Sequence, residues 1–316
     1  MERMLFCALF ALVSLTWGTT WLAMKVAVDT IPPLFATGLR FLCASPALIL
    51  IALWRRKPLI FPAGQRIFQL AVSVFYFAIP FTLMIYSEKY VSAGLASIIF
   101  ANMPVGVLLV SGILLNEKIS GRQLAGLIVS LTSLITIITL ETASDSTSHW
   151  QGIVALIIAL MMHALIYVLS IRNNCGVSVI TFNALPAFIA GVGLLITGAV
   201  LEKPVIADFA PASAFSVVYL GTFAGVGGIL SYFMLQKIST PFRALLVFMI
   251  FPFVSVSLES YVYGKSLSVT TLFMAVPLIV GIFITLAGRR APLKTPERRL
   301  PKASVTADAS SGEGPN

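Results

Sequence analysis

The chain has 316 residues, of which 58% are apolar and 10% are charged, and its net charge is +9. Soluble globular proteins carry about 25% charged residues, and lipid must solvate much of this apolar surface, so a soluble fold is excluded. The positive charge does not indicate nucleic-acid binding, because Lys and Arg are scattered through short loops and a tail without a stripe between aromatic residues.

Ten apolar segments are each long enough to span a bilayer, which predicts an all-α membrane protein with ten transmembrane helices. Their predicted bounds are 4–27, 34–54, 67–86, 93–115, 122–140, 150–171, 177–201, 212–236, 243–263 and 270–288. The first segment is longer than the core of a signal peptide and lacks a small-x-small cleavage pattern, so a retained span is expected. Residues 289–316 are basic and then rich in Ser, Ala, Gly and Pro, which predicts a disordered tail.

The basic residues of the loops predict the orientation of the chain in a bacterial inner membrane. One side carries 16 of the 21 Lys and Arg residues, the opposite side carries 4, and Arg40 lies within a span. Cytoplasmic loops carry the excess of Lys and Arg, so both termini are expected in the cytoplasm.

A weak internal repeat divides the chain. Shifting the sequence by 148 residues places Pro104 on Pro252 and Pro80 on Gly228. Because each half holds an odd number of spans, the second half is expected to enter the membrane from the opposite face, as in transporters built from inverted repeats. The predicted parts are a first five-helix repeat (1–140), a second five-helix repeat (141–288) and the basic cytoplasmic tail (289–316).

Several short motifs are similar to those of one transporter family. They are Trp17-Gly18 followed by Lys25, Pro32-Pro33, Gly38-Leu39-Arg40-Phe41, Ser92-Ala93-Gly94-Leu95-Ala96-Ser97, and Asn116-Glu117-Lys118-Ile119 with Gly121 and Gly126 downstream. Over about residues 5–288 the chain resembles EamA-type members of the drug/metabolite transporter superfamily. The second half matches less well, since its tryptophan signature near His163 is absent. The resemblance implies two inverted five-helix repeats and export of amino acids, related metabolites or drugs.

Arg40 is the first candidate for substrate binding. It lies about seven residues into the second span, roughly 10 Å from the outer end at about 1.5 Å per residue. An arginine at this depth costs roughly 2.5–3.5 kcal/mol on insertion scales, so it usually pairs or faces water. It either holds a substrate carboxylate, snorkels to the outer headgroups or forms a structural salt bridge.

His163 and Glu259 are the candidates for proton coupling. His163 lies near the middle of the sixth span and has a reference pKa near physiological pH, so it either shuttles protons or is a buried neutral histidine. Glu259 lies about one turn from the outer end of the ninth span, which is typical of an interfacial anchor.

Pro104 and Pro252 indicate a second part of the candidate site. Each removes a backbone donor and frees the carbonyl four residues earlier, at Phe100 and Phe248. Paired interruptions in two repeats point to a binding site at the membrane midplane, and Asn102 adds a neutral donor and acceptor there. The alternative is a pair of simple kinks packed against neighbouring helices.

Aromatic residues gather in the third span and in its repeat partner. Tyr76 lies in the aromatic run beside Pro80, and Tyr232 lies in the eighth span. These tyrosines either line the pocket of an aromatic or amphipathic ligand, or face lipid and core.

The sequence favours a transporter over other classes of membrane protein. A polytopic membrane enzyme needs a nucleophile–base set or a metal cluster, and the chain has two histidines and neither Gly-x-Ser-x-Gly nor His-Glu-x-x-His. The cysteines Cys7, Cys43 and Cys175 have no metal-ligand spacing, so no cofactor is expected. The absence of a Walker motif argues against direct ATP coupling. A membrane enzyme and a passive channel or facilitator remain the alternatives, and the expected partners are a small-molecule substrate, the lipid bilayer and a coupled proton.

Overall fold

The computed structural model describes residues 2–143, 150–173, 175–239, 241–264 and 267–287, and all regular structure within them is helical. Ten segments are long and apolar enough to cross a membrane. They are α1 (Arg3–Val28), α2 (Pro33–Trp54), α3 (Arg66–Ser87), α4 (Ala93–Leu114), α5 (Gly121–Thr142), α6 (Trp150–Arg172), α7 (Val179–Leu201), α8 (Pro211–Ile238), α9 (Arg243–Tyr263) and α10 (Val269–Ala287). The predicted spans are confirmed to within three residues at each end, while the predicted disordered tail lies outside the described residues.

Four of the spans are interrupted, in two corresponding pairs. α3 and α8 contain π-helical turns at Ser73–Ala78 and Leu220–Gly227, which the shift of 148 residues superimposes. α4 consists of Ala93–Phe100 and Met103–Leu114, and α9 breaks at Leu246, ahead of the helix Val247–Tyr263. Interruptions of this kind recur at functional sites in membrane helices.

The helices pair across the two halves of the chain. α2 packs on α7, α4 on α9 and α5 on α10; α1 packs on α8 and α9, while α6 packs on α3 and α4. Exchanging the halves maps this set of pairs onto itself, which is the pattern expected of two repeats related by a pseudo-two-fold axis. The inverted orientation of the second repeat is a prediction, which rests on the odd number of spans in each repeat.

Glycines allow the paired backbones to approach closely. A Cβ added at Gly126 in α5 would lie 2.7 Å from the carbonyl oxygen of Gly281 in α10, and one added at Gly38 in α2 would lie 3.1 Å from that of Gly191 in α7. Small residues at such crossings are the usual means of packing helices in lipid.

Carboxylates join the two repeats at the end of the bundle that the charge pattern predicts to be periplasmic, called the outer end below. Each lies at the end of one helix and accepts backbone N–H groups from the beginning of its partner. The contacts are Glu202 with Leu34 and Phe35 (both 2.9 Å), Glu259 with Ala93 (3.0 Å) and Gly94 (2.7 Å), and Glu141 with Ser268 (3.3 Å). A carboxylate at a helix N-terminus satisfies unpaired donors and complements the helix dipole.

Candidate substrate-binding site

α2 carries Arg40 into the interior of the bundle, where 6% of the residue is exposed. Its Nη1 lies 3.6 Å from the sulfur of Met24, and its Cζ lies 4.8 Å from the centre of the Phe81 ring. Among the described residues no carboxylate forms an ion pair with it. A snorkelling side chain would be exposed and a structural salt bridge would include a carboxylate, so neither alternative fits. Most of the five guanidinium donors therefore have no hydrogen-bond partner among the described residues.

His163 lies on the other side of Phe81. Its Nδ1 lies 2.9 Å from the carbonyl oxygen of Ala159, one turn earlier in α6. Because a carbonyl oxygen only accepts, Nδ1 is the protonated nitrogen, and Nε2 is left as an acceptor. The ring centres of Tyr76, Phe81 and Phe100 lie 4.7, 5.1 and 5.7 Å from that of His163. Arg40, Tyr76, Phe81 and His163 together are called the Arg40 cluster.

The π-helical turn of α3 presents Tyr76 to this cluster. The Tyr76 ring contacts His163, and it also meets Phe182 of α7 at 5.4 Å and Phe77 at 5.1 Å. A wide turn rotates the side chains that follow it, so both Tyr76 and Phe81 can face α6 from one helix. The aromatic run in the sequence was the signal for these rings, while nothing in the sequence pointed to Met24.

The second repeat forms an aromatic counterpart around Trp17. The Trp17 ring lies 4.7 Å from that of Tyr232, 5.3 Å from Phe248 and 6.3 Å from Phe251. We call these four residues the Trp17 cluster. The ring contacts of Tyr232 are therefore with the Trp17 cluster, although Tyr232 also interacts electrostatically with Tyr76 of the Arg40 cluster. Trp21 of α1 contacts Phe100 at 5.4 Å, and Phe100 in turn contacts His163 at 5.7 Å.

α4 breaks at Asn102, two residues before Pro104. Asn102 is buried, its Nδ2 donates to the carbonyl oxygen of Ile98 at 3.1 Å, and its Oδ1 has no partner among the described residues. Its own carbonyl oxygen accepts from the backbone N–H groups of Val105 and Gly106, in the first turn of the second part of the helix. A buried amide oxygen without a donor is costly, so this position suits a ligand that brings one.

Pro252 does not join Asn102 at a common cavity. α9 continues through Pro252, which lines a narrow crevice of about 20 Å³ between α4, α9 and α10. The lining is apolar throughout and comprises Ile98, Ala101, Phe248, Met249, Pro252, Phe253, Val256, Leu272, Ala275, Leu278, Ile279 and Ile282. Asn102 is not among these residues, and neither are Arg40 and His163. The crevice has room for about one water molecule, so it is a gap in the apolar packing around Pro252.

Two carboxylates at the outer end differ from the sequence interpretation. Glu259 is buried and caps α4 through Ala93 and Gly94, so its interpretation as an interfacial anchor is wrong. Glu88, which follows α3, is 1% exposed, and neither of its carboxylate oxygens has a hydrogen-bond partner among the described residues. No sequence pattern indicates these surroundings of Glu88, because the partners of a side chain at a helix end depend on tertiary packing.

Comparison with known proteins identifies the scaffold around these clusters. The EamA-like transporter family model matches residues 4–139 and 150–287. Protein PagO of Salmonella typhimurium is 54% identical over 293 residues, covering 93% of this chain and 96% of that protein. An uncharacterized transporter of Buchnera aphidicola is 49% identical over 286 residues, covering 90% and 95%.

More distant similarities extend over nearly the same length. The uncharacterized inner membrane transporter YedA of Escherichia coli K12 is 26% identical over 293 residues, covering 92% of this chain and 93% of YedA. A solved crystal structure aligns with a TM-score of 0.64 at 17% identity, covering 89% of this chain and 95% of its own, which shows the fold alone. These matches confirm the resemblance inferred from the motifs: the chain belongs to the EamA-like transporter family and is a multi-pass membrane transporter.

Proposed function

We propose that the protein is a secondary transporter of the inner membrane that exports small metabolites or drugs bearing a carboxylate, amino acids and their relatives above all. Arg40 carries this proposal, because it is a buried cation without a carboxylate partner among the described residues. A guanidinium binds a carboxylate through two parallel hydrogen bonds, which gives both affinity and orientation.

The surroundings of Arg40 suit the rest of such a substrate. Nε2 of His163 accepts a hydrogen bond from an ammonium or hydroxyl group, and the rings of Tyr76 and Phe81 offer faces for apolar or cationic groups. The aromatic Trp17 cluster lies beyond Trp21 and Phe100 for a larger side chain.

Orientation is part of the proposal. Both termini face the cytoplasm, as the distribution of Lys and Arg predicts. Cysteines introduced at Ser146 and Ser310, both outside the described residues, in a variant without the native cysteines should report it. On intact cells an impermeant thiol reagent should label Ser146→Cys and leave Ser310→Cys unlabelled, and labelling at Ser310→Cys would contradict the topology.

The transport test begins with resistance of overexpressing cells to a panel of amino acids and amino-acid analogues. Compounds that score are then measured as radiolabelled uptake into everted vesicles, in which export appears as uptake. Arg40→Gln should abolish uptake at unchanged membrane abundance, while Gly193→Ala, where an added Cβ meets no atom within 4 Å, should behave as wild type. Uptake by Arg40→Gln at the wild-type rate would show that Arg40 does not bind the substrate.

The same vesicles distinguish a transporter from the other classes of protein. Mass spectrometry of the vesicle contents should recover the compound unchanged, whereas a converted product would indicate a membrane enzyme. Accumulation above the external concentration in a pH gradient would indicate proton coupling, and equilibration without accumulation would indicate a facilitator. His163→Gln tests whether any gradient dependence passes through the histidine.

A further inference from the structure

The loop between α3 and α4 contains a buried acid that its neighbours leave unpaired. Glu88 is 1% exposed, and Ser87 and Val91 of the same loop are also buried, while Lys89 is exposed. Both of its carboxylate oxygens lack a hydrogen-bond donor among the described residues. A buried ionised carboxylate needs a counter-ion or several donors, so this geometry suits the neutral, protonated acid.

Lys25 lies close to Glu88 but does not neutralise it. The Lys25 ammonium donates to the backbone carbonyl oxygens of Glu88 (3.2 Å) and Val91 (3.3 Å), and no ion pair joins it to the Glu88 carboxylate. Lys25 thus ties the loop to α1 through the main chain.

Glu259 makes ionisation of Glu88 still less favourable. Both Glu259 oxygens accept N–H groups at the beginning of α4, whereas the Glu88 oxygens accept none among the described residues. The carboxylates of Glu141 and Glu202 cap partner helices in the same way, so Glu88 differs from all three. Under the shift of 148 residues the second repeat has the neutral Gln236 in place of Glu88.

The charged and titratable groups around Glu88 come from several elements. They are Lys25 and Asp29 of the first span and its loop, Tyr86, Lys89 and Tyr90 of its own hairpin, and Glu259 and Tyr263 of α9, while α6 meets the hairpin through Gly152. Burial raises the pKa of the Glu88 carboxyl well above its usual value, the Lys25 charge opposes this shift, and the Glu259 charge adds to it.

We infer that Glu88 is a proton-binding site of the outer end, and that the end closes only when this carboxylate has taken up a proton from the periplasm. On opening, water reaches the carboxyl and the same proton returns to the periplasm, so one O–H bond forms on closing and one breaks on opening. The inference rests on the proposed transport for its use in a cycle, but the protonation itself does not require a known substrate.

The sign of the pH effect follows from this linkage. The pKa of Glu88 is raised in the closed state and returns toward its usual value in the open state. Closure is therefore favoured below the usual value and is progressively lost as the periplasmic pH rises through the raised value. One linked proton changes the open-to-closed ratio by at most about tenfold per pH unit.

The first test is infrared spectroscopy of the purified full-length protein in lipid nanodiscs at neutral pH. Wild type and Glu259→Gln should show the C=O stretching band of a buried protonated carboxyl, and Glu88→Gln should lack it. Glu88→Asp should shift the band, which tests the assignment even if Glu88→Gln folds poorly. A band that persists unchanged in Glu88→Gln overturns the inference, as does a wild-type band that disappears on adding Na⁺ at fixed pH.

The second test measures closure on intact cells. Ser87→Cys, in a variant without the native cysteines, places a thiol at a position that is buried in the closed end. Its labelling by an impermeant thiol reagent should rise with external pH more steeply than in Ser87→Cys/Glu88→Gln, where only the reactivity of the thiol changes. The ratio of the two rates should grow by up to about tenfold per pH unit, and a constant ratio would overturn the linkage. Neither test depends on the transport assay, so failure here and failure of the proposed function are separate results.

Discussion

The two repeats place different chemistry at the same structural position. The family model begins to match the first repeat at residue 4 and the second at residue 150. Counted from these residues, Trp17 and His163 occupy the same position. Trp17 packs on Phe248 at 5.3 Å and His163 packs on Phe100 at 5.7 Å, and these two phenylalanines are themselves related by the shift of 148 residues. The scaffold is thus duplicated, while the charged side chain of the two clusters, Arg40, lies on one side.

This difference shows how a nearly symmetric scaffold can bind an asymmetric substrate. The Arg40 cluster offers a cation and an acceptor nitrogen, and the Trp17 cluster offers ring faces. A metabolite with a carboxylate at one end and an apolar group at the other would therefore bind in one orientation. Substitutions can test whether the two repeats are alike in helix packing and differ in the groups that they offer to a substrate.

The largest effect is expected at the glycines that support the two clusters. A Cβ added at Gly18 in α1 would overlap Val254 of α9 and lie 3.0 Å from the carbonyl oxygen of Phe251. At Gly106, the position related to Val254, the nearest atom is the Cδ2 of Leu160 at 2.6 Å, a side-chain tip that can rotate. Gly18→Ala should therefore destabilise the protein by about 1–3 kcal/mol, and Gly106→Ala by less.

Melting of the detergent-solubilised variants, followed by size-exclusion fluorescence, measures this difference. Gly193→Ala is the matched control, because its added Cβ would enter open space. Equal losses of stability for Gly18→Ala and Gly106→Ala would contradict the predicted order, because the two helix crossings would then tolerate an added Cβ equally well.

A smaller effect is expected from removing the nitrogen atoms of His163. His163→Phe keeps a ring for Tyr76, Phe81 and Phe100 but removes the acceptor at Nε2, so vesicle uptake should fall about tenfold, the equivalent of about 1.4 kcal/mol. Trp17→Phe also keeps a ring and should change uptake by less than His163→Phe does. Equal uptake by the two variants at equal abundance would mean that the acceptor nitrogen contacts no substrate.

Much of the fold could be predicted because lipid imposes strong constraints on a chain. A span must satisfy its backbone internally over about 20 apolar residues, so hydropathy alone placed the second span at 34–54 and the structure has Pro33–Trp54. The interruptions were harder to predict. Pro252 resembles Pro104 in sequence, yet α9 continues through it and breaks at Leu246, because neighbouring helices decide where a kink is absorbed.

The candidate site was predictable residue by residue but not as an arrangement. Arg40 and His163 stand out in sequence because ionisable groups are rare in lipid. That both contact Phe81 depends on the π-helical turn of α3, which has no reliable sequence signal. The surroundings of Glu88 and Glu259 could not be predicted either. Only after the helices have packed does Glu259 accept two N–H groups while Glu88 accepts none among the described residues.

The smallest effect is expected at the break of α4, where the repeats differ again. The first repeat breaks at Asn102, whose amide oxygen is buried without a partner among the described residues, and the second breaks at Leu246 without a side-chain amide. Replacing a polar group with an unsatisfied oxygen by an apolar one of similar size is often neutral or stabilising. Asn102→Leu should therefore keep or raise the melting temperature, although it loses the bond to Ile98. If the free oxygen accepts a donor from the substrate, vesicle uptake should nevertheless fall by about three- to tenfold, which is within the range that one hydrogen bond contributes. The two measurements together separate the possibilities: lower stability with normal uptake would make Asn102 a structural cap of the broken helix, and a stable variant with full uptake would remove it from the site.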